Sequence, residues 1–142
     1  MIRHAIRTLC AATLVAAPLA LTATPAQAIT SCTVNGSPVS GTTVNGTAGS
    51  DYISCGTLAP GDSVNGLGGS DYIVINGIVA GTIDGGAGGD SITANAGTAA
   101  TGRILGGADN DFISVGPNAG TVDGGLGADY CRVASGNPPI NC

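Results

Sequence analysis

The sequence contains no lysine, no glutamate and no tryptophan, and its single histidine and single methionine are His4 and Met1. Beyond residue 28 the only basic side chains are Arg103 and Arg132. They stand against nine aspartates, a net charge of −7. General acid–base catalysis draws mostly on His, Glu and Lys, and nucleophile activation usually needs one of them as a base. Their absence excludes most enzyme chemistry, including the polysaccharide-lyase kind that some solenoids carry, so a non-enzymatic protein is expected. So acidic a surface also speaks against nucleic acid and anionic membranes as partners. Helical periodicity is missing as well, and glycine, at 25 residues, is too frequent for helix.

The 142 residues suffice for one domain. Residues 1–28 read as a signal peptide. Arg3, His4 and Arg7 make a basic start, Leu9 to Leu21 is almost wholly apolar, and Ala26-Gln27-Ala28 fits a small-x-small cleavage site. Cleavage before Ile29 and an extracellular, secreted protein are the expectation. Four cysteines follow, Cys32, Cys55, Cys131 and Cys142, an even number that reads as two disulfides in an exported chain. Of the three possible pairings, 32–55 and 131–142 are favoured, because each joins neighbours near one end and closes a short loop.

What the chain does contain is a repeat. Aligned on an aspartate, VNGTAGSDYIS (44–54), VNGLGGSDYIV (64–74), IDGGAGGDSIT (83–93), ILGGADNDFIS (104–114) and VDGGLGADYCR (122–132) fall into register. A disordered glycine-rich linker has no reason to keep its aliphatic residues in step, and this chain does. The aliphatic before each glycine turn and the apolar residue after its aspartate are nine apart in every copy. Across the intervening segments the spacing varies. The fixed half implies a geometry shared by all five copies, and the variable half reads as plain connection.

Repeats of about twenty residues cannot bury a core alone and must stack. The expected fold is all-β, a right-handed parallel β-solenoid of about five coils with disulfide-capped ends. Its interior is expected to hold two thin columns of Val and Ile. Residues 29–43 are expected to form an N-terminal cap or degenerate coil, since Val34 lies ten before Val44. Residues 44–132 form the repeats and 133–142 a C-terminal cap. There Ile140, nine after Cys131, begins a last partial coil.

Stacking brings Asp51, Asp71, Asp90, Asp111 and Asp129 into one file with a spacing of about 5 Å. Two like charges at that distance repel by about 3 kcal/mol at an effective dielectric near 20. With no lysine to intervene, a divalent cation between turns is the simplest counter-charge. Calcium fits best, because it accepts six to eight carboxylate and carbonyl oxygens in tolerant geometry, and glycine turns can aim carbonyls at one point. Five turns leave up to four inter-turn sites.

GGAGGDSIT (85–93) and GGLGADYCR (124–132) fit G-G-x-G-x-D-x-U-x, where U is an aliphatic residue, with Cys131 standing at U in the second, and GGADNDFIS (106–114) departs only at Asp109. This pattern resembles the calcium-binding nonapeptide of the repeats-in-toxin (hemolysin-type) family. The resemblance implies a calcium-loaded β-roll with Ca2+ as its cofactor. The ligand set is expected from the five file aspartates, Asp109, and the turn glycines Gly66, Gly68, Gly85, Gly86, Gly88, Gly106, Gly107, Gly124, Gly125 and Gly127. Only alternate half-coils carry the motif, so calcium is expected along one edge. The expected function is that of a secreted calcium-binding protein whose folding is coupled to the ion.

Other residues receive plainer readings. Asp84 and Asp123 are expected to stabilise turns, and Asp62 to be solvated. Tyr52, Tyr72, Phe112 and Tyr130 each follow a file aspartate and are expected to point outward. There they serve as a stacking ladder or as a ribbon for carbohydrate or a cell-surface partner. The alternative function is an adhesive or ice-binding solenoid using Thr42, Thr82 and Thr121, a file interrupted by Asp62 and Arg103.

Overall fold

The computed structural model describes residues 30–142, so the signal-peptide reading lies outside the described residues. Twelve strands and no helix occur among them. One sheet holds β3 (Thr43–Asn45), β5 (Ser63–Asn65), β7 (Thr82–Ala87), β9 (Arg103–Ala108) and β11 (Thr121–Leu126). The other stacks β4 (Tyr52–Cys55), β6 (Tyr72–Ile75), β8 (Ser91–Ala94), β10 (Phe112–Asn118) and β12 (Tyr130–Gly136), with β1 (Thr30–Val34) and β2 (Ser37–Gly41) at one edge. Strands of the repeat region pair in parallel with the strand one coil away, never with their immediate successor. The chain therefore winds as a parallel β-solenoid of about five turns.

The register follows the aliphatic spacing read from the sequence. Val44, Val64, Ile83, Ile104 and Val122 lie in one ladder, and Ile53, Ile73, Ile92, Ile113 and Cys131 in the other. All nine aliphatics of these two columns are buried. Alternation along each strand sends every second side chain inward, so a residue slipped by one place would face water.

The core is wider than two columns. Cys55, Ile75, Ala94 and Val115 form a third, and Leu58 and Val79 begin a fourth that continues through buried Thr98 and Asn118. The fourth column is tied by single parallel bridges rather than by full strands. The variable half of each repeat is therefore part of the core and not mere connection. Its length drifts because its corners are turns, which tolerate an extra residue, while the single inward side chain is kept. The change from apolar to polar down this column is satisfied internally. The Thr98 hydroxyl bonds Asn118 Oδ1, the Gly120 N–H donates to Thr98 Oγ1 at 3.0 Å, and the Asn118 amide donates to the Asn137 carbonyl at 2.9 Å. Asp62 also belongs inside and is not solvated. It is 3% exposed, and its Oδ2 accepts the Ala59 N–H at 2.9 Å, closing the corner of its coil.

The two ends differ in kind. Residues 30–41 do not form a degenerate coil. β1 and β2 make an antiparallel hairpin, and β1 lies antiparallel on β4. The turn is Asn35-Gly36 with φ of +51° and +79°, the pair of left-handed residues that a two-residue hairpin favours. Reversed strand polarity ends the parallel stack and covers the edge of β4. Cys32 and Cys55 sit opposite each other across β1 and β4 and are disulfide-bonded.

At the other end Cys131 bonds Cys142, the second favoured pairing. The tail adds a bridge to β11, with one correction. Ile140 pairs with outward-facing Asp123 rather than with inward-facing Val122, and it is 48% exposed. Pro138 and Pro139 cannot donate backbone hydrogen bonds, and the tail rejoins the sheet one residue out of step with the nine-residue count.

Replacing Ile92 by alanine should cost about 2–5 kcal/mol, read as a lower urea midpoint. Ile73 and Ile113 are held in place by their ladders and cannot close the void. Ile140→Ala, at an exposed site, should leave the midpoint nearly unchanged.

Candidate metal centre at the aspartate turns

Each repeat aspartate stands at the start of its strand in the second sheet, where the chain leaves a glycine turn. The carboxylates do not line an outer edge as a surface file. They turn inward beneath the glycines, and Asp51, Asp71, Asp90 and Asp111 are 2–4% exposed. One oxygen of each ties successive coils together. The N–H of Asp51 donates to Asp71 Oδ1, that of Asp71 to Asp90, that of Asp90 to Asp111, and that of Asp111 to Asp129, each at 2.8 Å. Asn35 completes the ladder at the hairpin end, its amide donating to Asp51 Oδ1 at 2.5 Å.

The other oxygen is different. Oδ2 of Asp71, Asp90, Asp111 and Asp129 is buried and has no hydrogen-bond partner among the described residues. Each faces a backbone carbonyl across a space that only glycine leaves open. A Cβ on Gly85 would stand 2.4 Å from both Asp90 Oδ2 and the Gly106 carbonyl of the next coil. Gly66 opens the same space between Asp71 and Gly85, and Gly106 between Asp111 and Gly124. Two acceptors facing each other in a buried space are costly unless something positive lies between them. A proton on the carboxyl or a metal cation meets that need.

The first turn is closed. Asp51 Oδ2 accepts the Thr47 N–H at 2.5 Å and the Thr47 hydroxyl at 2.9 Å. Backbone conformation explains the difference. The residue after the first turn glycine has positive φ at Leu67 (+79°), Gly86 (+106°), Gly107 (+119°) and Gly125 (+103°), but not at Thr47. A β-branched residue strongly disfavours that region, so the turn at Thr47 takes another path and its N–H reaches the carboxylate. Gly46 leaves a similar space between Asp51 and the Gly66 carbonyl, but here the carboxylate oxygen already has two donors from the chain.

Electrostatics follow from this burial. Asp90 is pushed up to about 6, first by burial and then by the charges of Asp71, Asp111 and Asp84, against the pull of the Asp71 N–H. Burial likewise raises Asp71 and Asp111, each opposed by one backbone N–H and reinforced by neighbouring aspartates. The Thr47 N–H is the main reason Asp51 moves the other way, below the ordinary carboxylate range.

Of the expected ligand residues, the turns thus bring together Asp71, Asp90, Asp111 and Asp129 with Gly66, Gly85, Gly106 and Gly124. Gly86, Gly107 and Gly125 supply the positive φ just described. Gly88 and Gly127 have positive φ and pass close beneath the preceding coil. Gly68 bridges Ala87 and donates its N–H to the Thr47 carbonyl at 3.4 Å. Asp109 takes the place of a left-handed glycine, with φ +76°, and is exposed rather than directed into the turn. Among the described residues no group of three or more His, Cys, Asp or Glu side chains is placed to hold a metal. A cation here would depend on backbone carbonyls, for which the glycine slots are the only sequence signal. Asp123 is a turn residue as expected, its Oδ1 accepting the Gly125 N–H at 3.1 Å.

Outside the turns, Tyr52 stacks on Tyr72 and Phe112 on Tyr130, with ring centroids 5.6 and 5.5 Å apart. All four are exposed, and Ser91 separates the two pairs. On the first sheet the outward file is Thr43, Ser63, Thr82, Arg103 and Thr121. Thr42 and Asp62 lie one residue off that register, so Arg103 alone interrupts it. A cavity of about 410 Å³ opens beside β12, lined by Tyr130, Arg132 and Pro138 among others.

These features define the class: a β-solenoid repeat protein, closed by disulfides near both ends, with acidic turns stacked through its interior. Comparison with protein-family models, with curated proteins and with solved structures returned no match.

A pH dependence follows in the absence of metal. The raised carboxyls of Asp71, Asp90 and Asp111 contribute stability fully at pH values below the unfolded carboxyl's 3.8. For Asp90 that contribution is lost as pH rises through about 6. Asp51, with a lowered value, titrates below this window. In chelator, thermal midpoints should fall between pH 4.5 and 7.5. Scanning calorimetry showing a flat or rising trend would contradict the buried-acid description.

Proposed function

We propose that this protein is a secreted calcium-binding β-roll of the hemolysin-type repeat kind, in which the ion is coupled to folding. The observation that carries the reading is the set of buried Oδ2 atoms without partners, each facing a carbonyl oxygen across a glycine slot. Calcium prefers such hard oxygen donors and tolerates irregular geometry. When bound it would neutralise facing aspartates and join one coil to the next. Asp71, Asp90, Asp111 and Asp129 would hold it together with the carbonyls of the succeeding turns, and further carbonyls or water would complete its shell. The disulfides accord with an oxidising compartment.

Calcium should raise the thermal midpoint at neutral pH and reverse the pH trend seen in chelator, because it binds the ionised carboxylates. An ion at a hundred times its dissociation constant stabilises by about 2.7 kcal/mol per site. Asp90→Asn should act with opposite signs in the two conditions. Its amide can donate to the Gly106 carbonyl, so the chelated protein gains stability while the calcium response shrinks. Calorimetric titration with no calcium uptake, and identical melts with and without the ion, would sink the proposal.

A second reading, adhesion or ice binding with calcium only as a stiffener, draws support from the hydroxyl-rich outward file interrupted at Arg103 alone. Ice-recrystallisation inhibition that persists in Asp90→Asn and disappears in Thr82→Leu would favour it.

A further inference from the structure

The three internal slots share one construction, an aspartate Oδ2 facing the glycine carbonyl of the succeeding coil. The last turn has no complete coil beyond it, yet Asp129 Oδ2 is also buried and without a partner. The oxygen opposite comes from the tail. A Cβ on Gly124 would stand 2.0 Å from the Asn141 carbonyl and 2.7 Å from Asp129 Oδ2. The tail thus supplies a backbone oxygen where the other slots use glycine.

Several contacts hold Asn141 there. The Gly124 N–H donates to the Ile140 carbonyl and the Ile140 N–H to the Val122 carbonyl, both at 3.0 Å. The Asn141 amide donates to Asp123 Oδ1 at 2.8 Å. Asn141 itself takes a left-handed φ of +49°, and the next residue, Cys142, is bonded to Cys131 in β12. Cys131 is only two residues beyond Asp129. The disulfide therefore joins the strand that carries the carboxylate to the segment that carries the carbonyl. Without it, the segment beyond Pro139 is held to β11 by these three hydrogen bonds.

We infer that the tail completes a fourth cation site at Asp129 and that the Cys131–Cys142 disulfide is what keeps this site formed. The sites are then displaced by one turn from a simple count between five turns. Thr47 closes the first turn, and Asn141 completes the last. Oxidation state at one disulfide sets the capacity of this end for a hard divalent cation, while the three internal slots do not depend on it. The inference rests on the calcium reading above.

Calcium stoichiometry measured by calorimetry on the full chain tests it in four samples: the oxidised protein, Asp129→Asn, the double variant C131S/C142S, and the oxidised protein treated with a phosphine reductant. Four ions are expected for the first and three for each of the others, with the β-sheet circular dichroism in calcium unchanged. Four ions retained in Asp129→Asn would overturn the site. Four ions in both the double variant and the reduced protein would overturn the role of the disulfide. Loss of the β-sheet signal in those two samples would assign the disulfide to the fold as a whole and overturn the inference equally. No uptake by the oxidised protein would instead remove the calcium reading on which it stands.

Discussion

The structure depends on one hydrogen bond repeated from coil to coil, from the backbone N–H of an aspartate to the carboxylate Oδ1 of the aspartate one coil on. It adds a side-chain link between successive turns to the backbone bonds that already join them, at the point where the chain crosses between sheets. A charged acceptor makes a stronger bond than a neutral one, and the bond requires the carboxylate to be drawn inside. Burial of that group carries a cost in desolvation and in repulsion along the ladder. The raised titration of Asp71, Asp90 and Asp111 expresses this cost. The second carboxylate oxygen then has to be matched by a proton or a cation, and the glycine slots leave room for that partner.

Both ends of the ladder are finished with other chemistry. At the hairpin, the Asn35 side chain donates to Asp51 as the backbone of an earlier aspartate would, and its Oδ1 accepts the Tyr52 N–H at 2.9 Å. Thr47 satisfies the remaining oxygen of Asp51. At the tail, Asn141 offers a carbonyl and no donor to Asp129. The stack thus runs from an end saturated with donors to an end that keeps its acceptors open. Strand edges follow the same asymmetry. Antiparallel β1 covers β4, whereas among the described residues β12 pairs with β10 alone and borders a cavity.

Much of this was legible in the residue order. A repeat of about twenty residues with Val or Ile at fixed intervals admits little besides stacked strands, and the nine-residue spacing predicted the observed ladders. The cysteine pairing was also readable, because each pair closes a short loop. The hairpin was written as Asn35-Gly36 between two apolar-containing segments, a strong turn signal that the ten-residue interval from Val34 to Val44 obscured. Asp62 was misread because a lone aspartate in a segment of variable length gives no sign of its depth. The corner bond to Ala59 shows it inside.

Residue order alone sets the solenoid, its register and the in-line placement of five aspartates, because period-two alternation and recurring glycine turns act locally and in the same way in every coil. Which of those aspartates remain without a partner among the described residues is settled by what folds against them. Part of this is local, because Thr47 reaches Asp51 from four residues away, and part is brought in by the chain's two ends: Asn35 at Asp51 and Asn141 across from Asp129. No repeat pattern encodes such contacts, because a repeat specifies its interior copies and leaves its ends to whatever segments fold back on them.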